Sequence, residues 1–114
     1  MSKDPQLLLQ FILESIENLE EYTQSMDAIM YAANMEKQDA VERRLQMIGQ
    51  AIIQLPQKLK EENPEIEWAE VAGLRNRLVH EYLEIDHGLI WNIIEKSLPE
   101  FKKAIQELVK DRKA

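Results

Sequence analysis

Eight consecutive residues gather much of the reactive chemistry of this chain. Arg75-Asn76-Arg77-Leu78-Val79-His80-Glu81-Tyr82 sets two guanidiniums, an amide, an imidazole and a phenol side by side. An arginine can hold a phosphate through two parallel hydrogen bonds and offset the charge developing on it. An imidazole can take a proton from a ribose 2′-hydroxyl or return one to a departing 5′-oxygen. Together they are what metal-free RNA cleavage by internal transesterification requires. On a helix, Asn76 and His80 lie one turn apart and share a face. Arg75 and His80 differ by five positions, roughly 140° around the axis. They converge only through the arginine's reach, through a helix that ends near His80, or across a dimer interface. On spacing alone the simpler reading pairs Arg75 and Arg77 with Glu70, Glu81 or Glu84.

Other candidates read more plainly. His87, beside Gly88 at the start of a further helix, has the setting of a solvated loop histidine. Trp68 and Trp91 suit the core or a dimer interface better than a base-stacking platform. Met26, Met30, Met35 and Met47 are scattered and read as packing. Glu14, Glu17 and Glu21 recur at helical spacing as a solvated face, not a metal site. Arg43 and Arg44 are adjacent and point to different sides, so only one need lie near a bound polyanion.

Composition bounds the rest. The 114 residues contain no cysteine, which removes disulfides, thiolate zinc sites and cysteine nucleophiles. A hydrophobic fraction of 45% against 31% charged residues is that of a folded domain. The net charge of −7 argues against sequence-independent DNA binding through a wide basic face. Residues 1–57 carry 4 basic and 9 acidic side chains, whereas residues 58–114 carry 10 and 12. A polyanion would therefore meet a local surface, mostly in the second half. No apolar run approaches the roughly 20 residues of a membrane span, and Met-Ser-Lys-Asp-Pro lacks signal-peptide order. The expectation is one cytoplasmic domain over residues 1–114, ending in a polar, frayed tail at about 110–114.

The elements that must position the cluster are all helical. Asp4 is placed to cap a first helix with Pro5 at its first position, and Leu8, Phe11, Ile12, Ile16 and Leu19 follow at helical spacing. The segment 22–35 has no clear period; Ala28 to Ala33 fits either a short helix or a tight connection. Val41, Leu45, Ile48, Ile52, Leu55 and Leu59 form the strongest stripe, with Pro56 expected to kink its last turn. A third helix is expected over roughly Trp68 to Tyr82, burying Trp68, Val71, Leu74 and Leu78. Asp86 can cap a fourth helix, carrying Ile90, Ile94, Leu98, Phe101, Ile105 and Leu108, and Pro99 predicts a bend near Glu95. The fold class is all-α, a four- to five-helix up-and-down bundle.

Arg75-Asn76-x-x-x-His80-x-Tyr82 resembles the signature of the HEPN superfamily, specifically its HepT-like ribonuclease toxins. Trp68 to His80 is similar to that family's third helix throughout. Leu89-Ile90-Trp91 and Leu98-Pro99 resemble its fourth. Ile48-Gly49-Gln50-Ala51 resembles a Gly-Glu-Ala element of its second, with Gln50 in place of the glutamate. The likeness covers about residues 40–105.

The resemblance implies a homodimeric helical bundle whose two motifs face one cleft, acting as a metal-independent endoribonuclease without a cofactor. Arg75 would then hold the scissile phosphate, and His80 would be the general base or acid. Asn76 would orient one of them, and Arg77 would support RNA binding. It further implies a partner, a small nucleotidyltransferase-fold antitoxin that transfers AMP from ATP onto Tyr82. The alternative is a non-catalytic helical partner that presents substrate to, or regulates, such a transferase.

Overall fold

The computed structural model describes residues 4–113 and the side chains of 4–111. Met1 to Lys3, which carry part of the reading of the N-terminus, and Ala114 of the tail lie outside them. Four long helices dominate: α1 (Pro5–Tyr22), α3 (Met35–Gln54), α5 (Trp68–His80) and α7 (Leu98–Lys113). Shorter pieces join them: α2 (Ala28–Ala32), α4 (Gln57–Glu62) and α6 (His87–Asn92). The described residues contain no strand, so the chain is the all-helical bundle expected.

Caps set most of the helix starts. The Asp4 carboxylate accepts from the Gln6 N–H and Pro5 follows it, as the sequence predicts. Asp27, Asn34 and Asp86 cap α2, α3 and α6 in the same way, each accepting a backbone N–H of the first turn. The segment without a clear period therefore holds a short helix. Its C-terminal carbonyls, at Tyr31 and Ala32, accept from the buried Gln38 amide at 2.9 and 3.1 Å.

Three expectations need correction. Pro56 breaks the second stripe instead of kinking it, because the residue before a proline is driven to extended backbone. Leu55 accordingly sits at φ −65° and ψ 145°, and α4 starts afresh after Pro56. Leu55 and Leu59 still reach the core across the break. The third helix ends at His80, and Tyr82 falls in a separate 3₁₀ turn, Tyr82–Glu84. The polar tail is helical through Lys113.

Near Glu95, where Pro99 predicts a bend, the helix changes its hydrogen-bond pattern. Pro99 has no N–H to donate to the Glu95 carbonyl, and Ile93–Ser97 form a π turn in which Leu98 N–H reaches back to Ile93. The fourth stripe is thus split into α6, the π turn and α7.

Helix α3 lies between α1 and α5, while α7 closes the other side of α1. Leu9, Ile12, Ile16, Val41, Leu45, Ile48, Val71 and Ile105 meet in the interior. Trp68 packs edge-on to Phe101, ring centroids 5.9 Å apart, and its indole N–H donates to the Asn63 carbonyl. Both tryptophans are core residues of the chain. Met35 and Met30 are exposed, so the packing role read for the methionines fails at those two positions.

Candidate functional site

The close crossing of α3 and α5 sets the position of Arg75. Gly49 of α3 faces it, and a Cβ on Gly49 would fall 2.5 Å from the Arg75 Cβ. Only a residue without a side chain lets the two helices approach this far. The half-buried Arg75 side chain leaves the crossing and lines a groove of about 540 Å³ between α1, α3 and α5. Its Nη1 donates to Oδ1 of the exposed Asn76 at 3.0 Å.

His80 is the last residue of α5. The Glu81 N–H closes that helix on the Arg77 carbonyl at 2.8 Å, leaving His80 exposed at the end. The 3₁₀ turn then holds Tyr82 65% and Leu83 87% exposed, before Ile85 brings the chain back towards the core.

The structure brings Arg75 and Asn76 together. Arg77 lines the opposite side of α5, near Leu89 and Asn92, so the two arginines do not share a surface. Among the described residues, neither guanidinium has a carboxylate within 4.0 Å. The pairing with Glu70, Glu81 or Glu84 that spacing favoured is not formed.

The second histidine departs from its expected role. His87 is half-buried, with Nδ1 3.0 Å from Oε2 of Glu42 on α3. Tyr31 of α2, fully buried, directs its hydroxyl to the same carboxylate at 3.5 Å and packs on Trp91, centroids 5.5 Å apart. Burial raises the Glu42 carboxyl above the ordinary carboxylate range, against the pull of His87 beside it. Burial, and then the Glu42 charge, push the Tyr31 hydroxyl above the ordinary phenol range. The cluster ties α2, α3 and α6 together.

The groove beside Arg75 also holds Gln46 and Gln54, which the sequence reading did not single out. Arg43, Gln46, Gln50 and Gln54 line it from α3, with Phe11 and Met47 among its apolar residues. Their 3-4-4 spacing, with no carboxylate among them, is a polar helix face visible in the sequence. Of the adjacent arginines, Arg43 is the one on Arg75's groove.

Comparison with known proteins bears on the same residues. A family model described as "Ribonuclease HepT-like" matches residues 12–108. The chain is 38% identical over 111 residues to a "Gamma-glutamylcyclotransferase and putative RNase" of Methanocaldococcus jannaschii, covering 97% of this chain and 50% of that protein. It thus spans about half the length of that relative. It is 32% identical to a "Putative RNase" of Caldanaerobacter subterraneus subsp. tengcongensis, covering 97% of this chain and 99% of the relative. It is also 33% identical to a "Probable ribonuclease HepT" of Thermococcus cleftensis, covering 90% and 93% respectively. No solved structure matches it significantly. An all-helical bundle, a family match across most of the chain and relatives of this identity agree: the chain belongs to the HepT-like ribonuclease family.

Proposed function

We propose that this chain is an endoribonuclease that cleaves RNA by internal transesterification, and that it is the toxin of a toxin–antitoxin pair. The observation that carries the reading is the state of the α5 end in a member of this family. Among the described residues Arg75 has no carboxylate partner, and His80 stands exposed at the helix terminus.

The chemistry follows from those groups. Arg75, steadied by Asn76, holds the scissile phosphate. One His80 takes the proton of the ribose 2′-hydroxyl, and the 2′-oxygen attacks phosphorus. The bond from phosphorus to the 5′-oxygen breaks as a second imidazole donates a proton to that oxygen. The products are a 2′,3′-cyclic phosphate and a 5′-hydroxyl. A homodimer supplies both imidazoles, and it removes the roughly 140° separation of Arg75 and His80 within one helix. Arg77, on the other side of α5, adds positive charge farther along the RNA.

Control of the toxin falls on Tyr82. Its hydroxyl, on an exposed turn, attacks the α-phosphorus of ATP held by a nucleotidyltransferase antitoxin. The phenolic proton is lost and pyrophosphate leaves. The attached AMP then puts bulk and a negative charge two residues from His80, where RNA phosphates must enter.

The test is cleavage of a defined RNA in EDTA. Cyclic-phosphate and 5′-hydroxyl ends are expected, together with full protection by a single 2′-deoxy substitution at the cleaved nucleotide. Cleavage that needs a divalent cation, or that survives the 2′-deoxy substitution, overturns the mechanism. For the switch, intact mass after co-expression with a nucleotidyltransferase antitoxin should rise by one AMP, and Tyr82→Phe should abolish the rise. A gain that persists in Tyr82→Phe would move the modification elsewhere.

A further inference from the structure

We infer that the groove between α1, α3 and α5 is a base-binding subsite, which seats one unstacked nucleobase flanking the phosphate held by Arg75. This rests on the proposed ribonuclease reading and extends it to substrate recognition.

Three observations carry it. The first is charge. In a chain with 21 acidic residues, this groove is lined, among the described residues, by Arg43 and Arg75 and by no carboxylate. A polyanion meets no repulsion from its walls, and one wall is the phosphate-holding arginine itself. The second is chemistry. A nucleobase has flat apolar faces and a polar edge, and single-stranded RNA is read by stacking the one and hydrogen bonding the other. Phe11 and Met47 are half-buried and supply an apolar surface, while Gln46 and Gln50 stand one turn apart on α3. An amide both donates and accepts, so it can read a base edge without adding charge. The third is size. About 540 Å³ lies within the roughly 300–1,000 Å³ of small-ligand clefts.

The experiment is a titration of the full-length protein with the four nucleoside 3′-monophosphates, and with ribose 5-phosphate as the baseless control. Backbone amide shifts are followed by NMR. At least one nucleotide is expected to bind about tenfold tighter than ribose 5-phosphate, moving the amides of Phe11, Met47 and Gln50. Gln50 is exposed, so Gln50→Ala should fold normally and level the preference among bases. Gln46→Ala should do the same.

Equal affinity for nucleotides and ribose phosphate would overturn the subsite, as would shifts confined to Arg75 and His80. Groove amides that shift on dilution alone would give the face to a second copy and overturn it too. The cleavage assay keeps the two readings apart. A protein that cleaves without base-dependent binding loses only the subsite. One that binds bases in the groove without cleaving RNA keeps the subsite and loses the reaction.

Discussion

The two histidines lie seven positions apart in sequence and meet opposite surroundings. His80 closes α5 and stands exposed, on the same helix where Arg75 donates to Asn76. His87 opens α6 and is held by Glu42, with Tyr31 and Trp91 packed behind it. Each region has its own phenol, Tyr82 exposed on a turn and Tyr31 sealed in the core. The same residue types thus stand open to solvent in one place and form a structural clamp in the other. The deciding factor is whether a neighbouring helix supplies a partner. Buried polar groups must be paired, and α3 offers Glu42 to His87 and Tyr31. Around α5, among the described residues, no carboxylate comes within 4.0 Å of the guanidiniums.

That contrast can be broken from either side. The largest expected effect is on the clamp: Tyr31→Ala removes a fully buried ring and should cost about 3–5 kcal/mol in urea denaturation. A cost below about 1 kcal/mol would mean that the cluster does not hold α2 to the bundle.

Next comes the crossing under Arg75. Gly49→Ala forces a methyl into the space of the Arg75 Cβ and should destabilise the fold by about 1–3 kcal/mol. The same displacement should slow cleavage about 10- to 100-fold, measured where the variant is fully folded. Full activity in that variant would show that the tight crossing does not position the arginine.

The smallest effect concerns pH. Burial raises the folded-state pKa of Glu42, so the native protein holds that proton to higher pH than the unfolded chain does. The stability this contributes is complete below the unfolded value and is lost as pH rises through the folded one. His87 opposes the loss by favouring the carboxylate. His87→Ala should therefore melt lower than the parent, by a margin that widens as pH rises through the carboxylate range. A constant margin would detach His87 from Glu42.

Much of this was legible in the chain because it is local. Asp4-Pro5 and Asp86 announce helix starts by their own side chains, and Pro99 removes one identifiable hydrogen bond near Glu95. The Arg75 to Tyr82 cluster was legible for the same reason, all of its members lying within about two turns of chain. What escaped was non-local. Glu42 and His87 are distant in sequence, and neither carries a sign that the other is its partner. Tyr31 sits where no hydrophobic period exists, so its complete burial comes from α6 packing over α2. Pro56 is plain in the sequence, but a broken helix still buries Leu55 and Leu59, and the stripe alone does not distinguish a kink from a restart.

The most direct measurement compares His80→Ala with His87→Ala in single-turnover cleavage of one RNA, with melting curves for both. His80→Ala should lose on the order of 10²-fold or more in rate while keeping the parental melting temperature. His87→Ala should melt earlier yet cleave at the parental rate while folded. If His87→Ala abolishes cleavage in the folded state and His80→Ala leaves it untouched, the catalytic histidine has been assigned to the wrong end of the loop.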